Sequence, residues 1–405
     1  MSREVVLEAL DATSTMGGRS MLRRLNSLGL LRELAREPAT LSRLAAASGL
    51  SRTAVESVVA DLVQLGWVEA GPAAARTRPG RPAASFRLRE SLGRVLSIDV
   101  GANHMYAVVA DLTGTVVAEV TRATREDVAA PERLRQAFDL VDEALAAASL
   151  TRADVWILAV GSPGAIDEHG TVAHFGGTGM PGWIGLDIRS AFRAEFDTVV
   201  IVEGDCALGA LAERWLGAAV DASDVVYVLC GIRTGAAVIV DGRLHRGVQG
   251  GAGLVGEMPE LKWRELNEQY GSRVLGTPRP SREQIFAAAR EGRAPAVEAV
   301  DEFADDLATG ASAMVLALNP ELLVIGGGSS AGADVFLDRF VETLRRKCPL
   351  PPQVVVSPLG SAAVAMGGVR AALLLADARL DEAARTLDAF PAPADMLRLL
   401  AASAA

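Results

Sequence analysis

The chain has 405 residues, of which half are apolar and 22% are charged, and its formal net charge is −10. This composition is typical of a globular protein with two or three domains and excludes a disordered chain. No apolar run approaches the ~20 residues of a membrane span, no secretory signal is visible, and the three cysteines lie far apart, so we expect a cytoplasmic protein without a membrane partner.

The charge is unevenly distributed along the chain. Residues 1–90 contain 13 arginines and nine acidic residues, whereas residues 91–405 contain 27 basic and 41 acidic residues. A basic head on an acidic body is the asymmetry expected of a protein in which only the head meets nucleic acid.

The head has the pattern of three helices and a following strand. Apolar spacing predicts a first helix over residues 20–36. Thr40 and Ser51 are the predicted N-caps of the second and third helices, which stop at Gly49 and Gly66. The predicted buried stripe of the third helix is Val55, Val58, Val59, Leu62 and Leu65. A short helix, a glycine turn and a longer helix predict a helix-turn-helix.

In a helix-turn-helix, the last helix lies in the major groove of DNA and its first turns face the bases. The side chains predicted to point outward there are Arg52, Thr53, Glu56 and Ser57. Arginine can pair with guanine, glutamate can accept from cytosine, and threonine can contact a thymine methyl group. The alternative is that these residues form the solvated face of an ordinary helical bundle.

Residues 71–83, GPAAARTRPGRPA, lie between the strand-like segments WVEA and SFRLR. Two strands joined by such a loop predict a wing beside the helix-turn-helix. Arg76, Arg78 and Arg81 have no acidic residue between them, and an extended arginine-rich segment suits a minor groove. The alternative is a flexible linker whose arginine content reflects codon bias.

The body contains two similar units roughly 130 residues apart. In the first, the strand RVLSIDVG precedes two strands joined at the turn 111–114. In the second, VVYVLCG precedes AAVIV, the turn 241–242 and RLHRG. A strand pattern that occurs twice, each time followed by helices, predicts a duplicated α/β architecture with two lobes and a cleft between them.

Further strands are predicted at Val155–Val160, Val199–Val202, Leu322–Ile325 and Val354–Val356. Helices are predicted over 131–149, 187–196, 206–218, 282–292, 297–317, 333–347 and 362–376. The last segment, 377–405, predicts a terminal helix and a frayed tail.

An ordered set of motifs follows the arginine-rich loop and its Pro79-Gly80-Arg81-Pro82. The motifs are Asp99-Val100-Gly101, Gly161-Ser162-Pro163-Gly164, Pro181-Gly182-Trp183, Glu203-Gly204-Asp205, Asp241-Gly242-Arg243 and Gly326-Gly327-Gly328. With these motifs the chain resembles the ROK family of repressors, open reading frames and kinases from about residue 20 to 376. The resemblance implies an actin-like, ribonuclease-H-like two-lobed body, in whose cleft sugar and ATP meet in the kinases. We therefore expect a winged helix-turn-helix domain over 1–90, a ROK body over 91–376 and a C-terminal helix and tail over 377–405.

The resemblance assigns roles to residues of the cleft. Asp205 occupies the position of the general base and Asp99 a position near metal and phosphate, and both are retained. Four positions that bind sugar in the kinases, as Asn, Asn, Glu and His, are here Gly179, Gly204, Leu254 and Glu257. With Gly182, Trp183, Asp205 and Arg233, these four form the predicted effector site. A leucine facing a buried hydroxyl would leave it unpaired at a cost of ~1–3 kcal/mol, so catalysis is expected to be vestigial.

The resemblance also bears on cofactors. Kinases of the family have a run of glycines where residues 231–237 contain only two, so ATP and magnesium are not expected. The family's zinc-binding His and Cys cluster have no counterpart here, since no cysteine or histidine lies between Glu257 and Pro280. We therefore expect no metal. His104, His169, His174 and His245 are interpreted as surface or packing residues.

Arg233 stands where a phosphate loop would lie. One hypothesis is that Arg233 holds an anionic effector such as a sugar phosphate or a carboxylate, and the alternative is that it pairs with a nearby acid.

The sequence predicts a DNA-binding transcription regulator, a repressor, that acts on a double-stranded operator as a homodimer or a dimer of dimers. Its effector would be a sugar, a sugar phosphate or another small anion. Two alternatives stay open: an active sugar kinase that carries a DNA-binding head, and a regulator that has lost its ligand.

Overall fold

The computed structural model describes residues 3–71, 84–89, 92–176, 179–231, 233–263 and 281–401, with side chains from Ser20 onward. The predicted wing arginines Arg76, Arg78 and Arg81 lie outside the described residues.

The head has the predicted three helices followed by two strands, and a short strand β1 that was not predicted. Its elements are α1 (Arg3–Arg36), β1 (Ala39–Thr40), α2 (Leu41–Ser48), α3 (Arg52–Leu65), β2 (Val68–Ala70) and β3 (Ser85–Leu88). The hydroxyls of Thr40 and Ser51 accept hydrogen bonds from backbone N–H groups at the starts of α2 and α3, as predicted. Gly49 and Gly66 have left-handed backbones at the helix ends. The predicted start of α1 at residue 20 is wrong, because the helix begins at Arg3 and continues through the Gly17-Gly18 pair.

The first lobe is built on five strands: β4 (Arg94–Val100), β5 (His104–Ala110), β6 (Val116–Ala123), β7 (Val155–Ser162) and β10 (Val199–Gly204). They lie in the order β10-β7-β4-β5-β6. Two short strands, β8 (Ala165–Ile166) and β9 (Val172–His174), form a hairpin whose buried side chains join this lobe's core.

The second lobe repeats the arrangement with β11 (Val225–Cys230), β12 (Thr234–Val240), β13 (Arg243–His245), β14 (Leu322–Gly326) and β15 (Gln353–Val356). Their order is β13-β12-β11-β14-β15. In both sheets the first strand pairs antiparallel with the second and parallel with the fourth. The predicted duplication is therefore confirmed, and the body has the two-lobed, actin-like architecture.

The remaining helices are α4 (Ala130–Ala147), α5 (Ile188–Glu195), α6 (Asp205–Leu216), α7 (Arg282–Arg290), α8 (Ala294–Leu318), α9 (Ala333–Lys347), α10 (Ala363–Thr386) and α11 (Met396–Ala401). Each predicted helix of the body has its counterpart. The predicted end at residue 376 is wrong, because no proline interrupts the pattern and α10 continues to Thr386. The segment Gly360–Thr386 is long and apolar enough to cross a membrane, but α10 packs against β4, β7 and α6 inside the protein.

Residues after α10 pack on the head, so the expectation of a frayed tail is wrong as far as Ala401. The indole nitrogen of Trp67, just after α3, donates to the carbonyl of Pro391 at 2.7 Å. Phe390, Met396 and Leu400 are buried in the same cluster as Trp67. This cluster also contains residues of the first lobe, so head, lobe and C-terminal segment share one hydrophobic core.

Candidate functional site

The first turns of α3 present four exposed side chains, as the sequence predicts: Arg52, Thr53, Glu56 and Ser57. The opposite face of the helix is buried in the core of the head. Arg23 of α1 donates to the Ser57 hydroxyl at 2.9 Å and is also bound to Asp61. The start of α3 is thus exposed while its second turn is tied to α1.

The sheet of the head has the order β1-β3-β2, and β2 and β3 form an antiparallel pair on either side of residues 72–83 in the chain. Three helices with an antiparallel ribbon directly after the third helix form a winged helix-turn-helix. In such a domain the start of α3 is the part that enters a major groove.

Two carboxylates of the cleft, Asp99 and Asp205, lie near enough for their charges to interact. Asp99 lies near the end of β4, and Asp205 is the first residue of α6, where its carboxylate accepts from the Cys206 N–H at 2.7 Å. Burial, together with the negative charge of Asp99, raises the pKa of Asp205 to about 7. A carboxyl that titrates near neutrality can accept or donate a proton at physiological pH.

His104 lies beside Asp99 with its side chain 51% exposed, in agreement with its interpretation as a surface residue. Its Nε2 lies 3.2 Å from Asp99 Oδ2. This hydrogen bond raises the pKa of His104, burial opposes the rise, and the charges of Asp99 and Asp205 add to it. Among the residues that the structure describes, no group of three or more potential metal ligands is found.

The predicted effector residues occupy different parts of the cleft wall. Gly179 lies beside Arg233, since a Cβ there would be 3.1 Å from Arg233 Nη2. Gly204 is the N-cap residue of α6, next to Asp205. Trp183 is fully buried and donates to the Ser162 hydroxyl at 2.9 Å, so it supports the wall without facing a ligand. Gly182 adopts a left-handed backbone in the turn before Trp183.

One ion pair and one glutamate–histidine contact cross from one lobe to the other. Glu257, which follows β13, lies 3.0 Å from Nε2 of His174 on β9. Arg246 of the second lobe lies 2.5 Å from Glu203 at the end of β10. His174 therefore lies at the cleft, and its side chain is 44% exposed, in agreement with its interpretation as a surface residue. Leu254, between the two crossing points, is 37% exposed.

Arg233 of the second lobe also contacts the first lobe. Its guanidinium lies 4.1 Å from the centre of the Phe175 ring in the first lobe. Its Nη1 is buried and has no hydrogen-bond partner among the described residues. Burial lowers the pKa of Arg233, and the charges of Glu126 and Asp205 oppose this effect. The alternative that Arg233 forms an ion pair finds no partner within the described parts of the chain.

Residues of the glycine loop of the second lobe form hydrogen bonds and packing contacts with neighbouring residues. The Gly231 N–H donates to the Arg233 carbonyl at 3.0 Å. Arg282 donates to the Gly231 carbonyl at 2.6 Å and to the Ser329 hydroxyl, which joins this loop to the one after β14. A Cβ at Gly235 would lie 2.6 Å from Cys206 Sγ, so close packing accounts for this glycine.

A continuous set of contacts joins the cleft to the head. Helix α6 starts at Asp205 and packs against α10. The two helices are so close that a side chain at Gly367 of α10 would overlap the Leu208 carbonyl of α6. Further along α10, Asp377 pairs with Arg32 of α1 at 2.7 Å, and Arg24 of α1 donates to the Ala384 carbonyl at 2.9 Å. Helix α10 therefore contacts both α6 at the cleft and α1 of the head.

Sequence reasoning did not identify Phe175, Glu126 or Arg246 as residues of the cleft. Each is brought there by contacts between distant segments, and no local pattern marks them. The Gly367-Gly368 pair in an alanine-rich helix was a usable signal, because adjacent small residues in a helix indicate close packing.

Comparisons with known proteins agree with this arrangement. Residues 95–263 match the model of the ROK family, and residues 24–78 match the model of the MarR family. A xylose repressor from Caldicellulosiruptor bescii is 25% identical over 402 residues, covering 89% of this chain and 98% of the repressor.

Two solved structures are similar in fold. One is a ROK family transcriptional regulator described as a homolog of the E. coli MLC protein, with a TM-score of 0.64, 18% identity and coverage of 87% of this chain and 97% of that one. The other is a ROK family glucokinase from Streptomyces griseus in complex with glucose and AMPPNP, with a TM-score of 0.57, 21% identity and coverage of 68% and 98%. The chain therefore contains a ROK family domain preceded by a MarR-type winged helix-turn-helix domain.

Proposed function

We propose that this chain is a sequence-specific DNA-binding transcriptional repressor of the cytoplasm, and that its ROK body binds an effector and forms a dimer. The observation that carries the proposal is the exposed start of α3 on a winged head that is built into the core of the body. The similarity to a xylose repressor along nearly the whole chain supports it.

A homodimer would place two copies of α3 on half-sites about one turn of DNA, or a multiple of it, apart. An effector that changes the closure of the two lobes would shift α6 and α10, and with them the spacing of the heads. Coupling of this kind is typically worth ~1–3 kcal/mol. The sugar-like or anionic nature of the effector is part of the proposal.

The DNA-binding proposal is tested at Arg52. If Arg52 reads a guanine, Arg52→Ala lowers specific affinity by about 1–3 kcal/mol, because a bidentate base contact is lost. Affinity is measured by gel shift at near-physiological salt on the intergenic DNA that flanks the protein's own gene. The control is Arg193→Ala, which removes an exposed arginine from α5 in the body. Equal loss in both variants would show that only general charge matters.

The structure also supports the proposal that the body binds neither ATP nor zinc. In the second lobe, the Gly231 N–H is already bound to the Arg233 carbonyl, so one N–H group of the glycine loop is not free to hold phosphate. Glu257, at the position of the family's zinc-binding histidine, is paired with His174.

One observation favours a second candidate, an active sugar kinase. Asp205 keeps the position of the general base, and its pKa of about 7 suits that role. ATP-dependent phosphorylation of a hexose that disappears in Asp205→Asn would establish the kinase. We expect no turnover above background in the wild type or in Asp205→Asn. The residues that bind sugar in the kinases are replaced here, and the Gly231 N–H of the glycine loop is already hydrogen-bonded.

Asp205 also predicts a pH dependence of stability. Its pKa is raised from 3.8 in the unfolded chain to about 7 in the folded protein. The folded state binds this proton more tightly, so the stabilising contribution is present below pH 4 and is lost as the pH rises to 7. We therefore expect Asp205→Asn to become increasingly more stable than the wild type between pH 5 and pH 8 in thermal denaturation.

The control for this measurement is Asp305→Asn. The hydrogen bond from Arg339 lowers the pKa of Asp305, so loss of this carboxylate destabilises the protein at neutral pH and has less effect in acid. A stability difference for Asp205→Asn that does not change with pH would contradict the raised pKa.

A further inference from the structure

The cleft contains an arginine whose charge is not neutralised by direct contact. Nη1 of Arg233 is buried without a hydrogen-bond partner, and no ion pair within 4.0 Å is found among the described residues. Buried polar groups without partners are rare in folded proteins, and each one calls for an explanation such as a bound ion. By contrast Arg246, the other arginine that crosses between the lobes, is paired with Glu203.

We propose that Arg233, stacked on Phe175 beside Gly179, forms an anion-binding subsite of the cleft that holds the phosphate or carboxylate group of a small-molecule effector. The proposal rests on the proposed effector role of the cleft and adds to it the chemical class of the ligand.

The position of the guanidinium fits this role. The guanidinium carbon lies over the Phe175 ring, 4.1 Å from its centre, and a planar guanidinium can present two parallel N–H donors to a phosphate or carboxylate. Gly179 keeps the space beside Nη2 free of a side chain, because a Cβ there would lie 3.1 Å from that nitrogen. Phe175 and Gly179 belong to the first lobe and Arg233 to the second, so an anion bound here would contact both lobes.

The surrounding charges allow an anion to bind. Arg133 is buried nearby, its charge acts on Arg233, and its own N–H groups are bound to the carbonyls of Gly101 and Arg125. Asp205 opposes an anion less than an ordinary aspartate would, since its pKa of about 7 leaves it partly protonated at neutral pH. Glu126 is the acid whose charge acts most strongly on Arg233, and its carboxylate is the natural competitor of the ligand.

The test uses inorganic phosphate as the probe and the unfolding temperature of the full chain as the readout, at constant ionic strength. We expect phosphate to raise the unfolding temperature of the wild type in a saturable manner. Arg233→Met, which keeps an unbranched apolar chain over Phe175, is expected to weaken phosphate binding about tenfold to a hundredfold. Glu126→Gln is expected to strengthen it, because the competing carboxylate is removed.

The control is Arg193→Met, which removes an exposed arginine of α5 outside the cleft and is expected to keep the phosphate response. Absence of a phosphate response in both the wild type and Glu126→Gln would overturn the proposal. An unchanged response in Arg233→Met would also overturn it, because the phosphate would then bind elsewhere. Since the readout involves no DNA, these outcomes are independent of whether the chain proves to be a repressor.

Discussion

Trp67→Ala is expected to lower the free energy of unfolding by about 3–5 kcal/mol, the usual cost of truncating a large buried aromatic residue. Trp67 is 2% exposed, packs edge-to-face on Trp156 of the first lobe at 6.1 Å, and donates to the Pro391 carbonyl. One side chain thus joins head, lobe and C-terminal segment. Urea denaturation followed by circular dichroism measures the effect.

Trp67→Phe is the matched variant, since it keeps an aromatic ring and loses the N–H group. Its cost is expected to be much smaller than that of Trp67→Ala. If the head folded independently of the body, Trp67→Ala would produce a separate early transition and leave the main transition in place. That result would contradict a shared core.

Gly367→Ala is expected to destabilise the protein by about 1–3 kcal/mol or more, because the added methyl group would overlap the Leu208 carbonyl of α6. A backbone carbonyl cannot turn aside as a side chain can, so α6 and α10 would have to separate. Because α6 begins at Asp205, the same variant is expected to weaken any effect of a cleft ligand on DNA affinity. Thermal denaturation and DNA titration measure the two effects.

The same substitution at Gly29 serves as the control. Gly29 lies in α1, and a Cβ there would meet no atom within 4 Å. Gly29→Ala is therefore expected to stabilise the protein by roughly 0.5–1 kcal/mol through helix propensity. Equal effects of Gly367→Ala and Gly29→Ala on stability would show that the stability of the protein does not depend on the close approach of α6 and α10.

Much of the fold was predictable because short segments of the sequence mark the ends of helices and the positions of strands. The caps Thr40 and Ser51 and the terminal glycines Gly49 and Gly66 bound two helices by short-range hydrogen bonds and backbone geometry. The two lobes were predictable because the same strand and turn pattern occurs twice, and buried strands give continuous apolar runs.

The contacts across the cleft were not predictable in the same way. The Arg246–Glu203 and Glu257–His174 pairs join segments of different lobes, and their charges look in the sequence like ordinary surface residues. Arg233 was singled out by its place in a glycine loop, but its stacking on Phe175 depends on how the lobes close. The packing of residues 387–401 was not predicted, because Pro391 and Pro393 interrupt the helical pattern and such prolines are typical of an unstructured tail.

The described contacts support a single physical description of the protein. The head is attached through α1, Trp67 and the C-terminal segment to a body whose cleft begins at the N-terminal end of α6. The two lobes are also joined across that cleft by the Arg246–Glu203 ion pair and the Glu257–His174 contact, which a bound ligand would have to accommodate or displace. The proposed effect of a ligand on DNA binding follows from this arrangement.

DNA affinity of the full chain, measured at near-physiological salt with and without a panel of sugars and sugar phosphates, is the most direct test. We predict specific binding to the flanking DNA that one ligand changes by about 5-fold to 150-fold. Binding that disappears as salt rises to physiological levels would reflect phosphate contacts alone and would contradict a sequence-specific repressor. Specific binding that no ligand of the panel changes would contradict the role of the cleft as a sensor of these compounds.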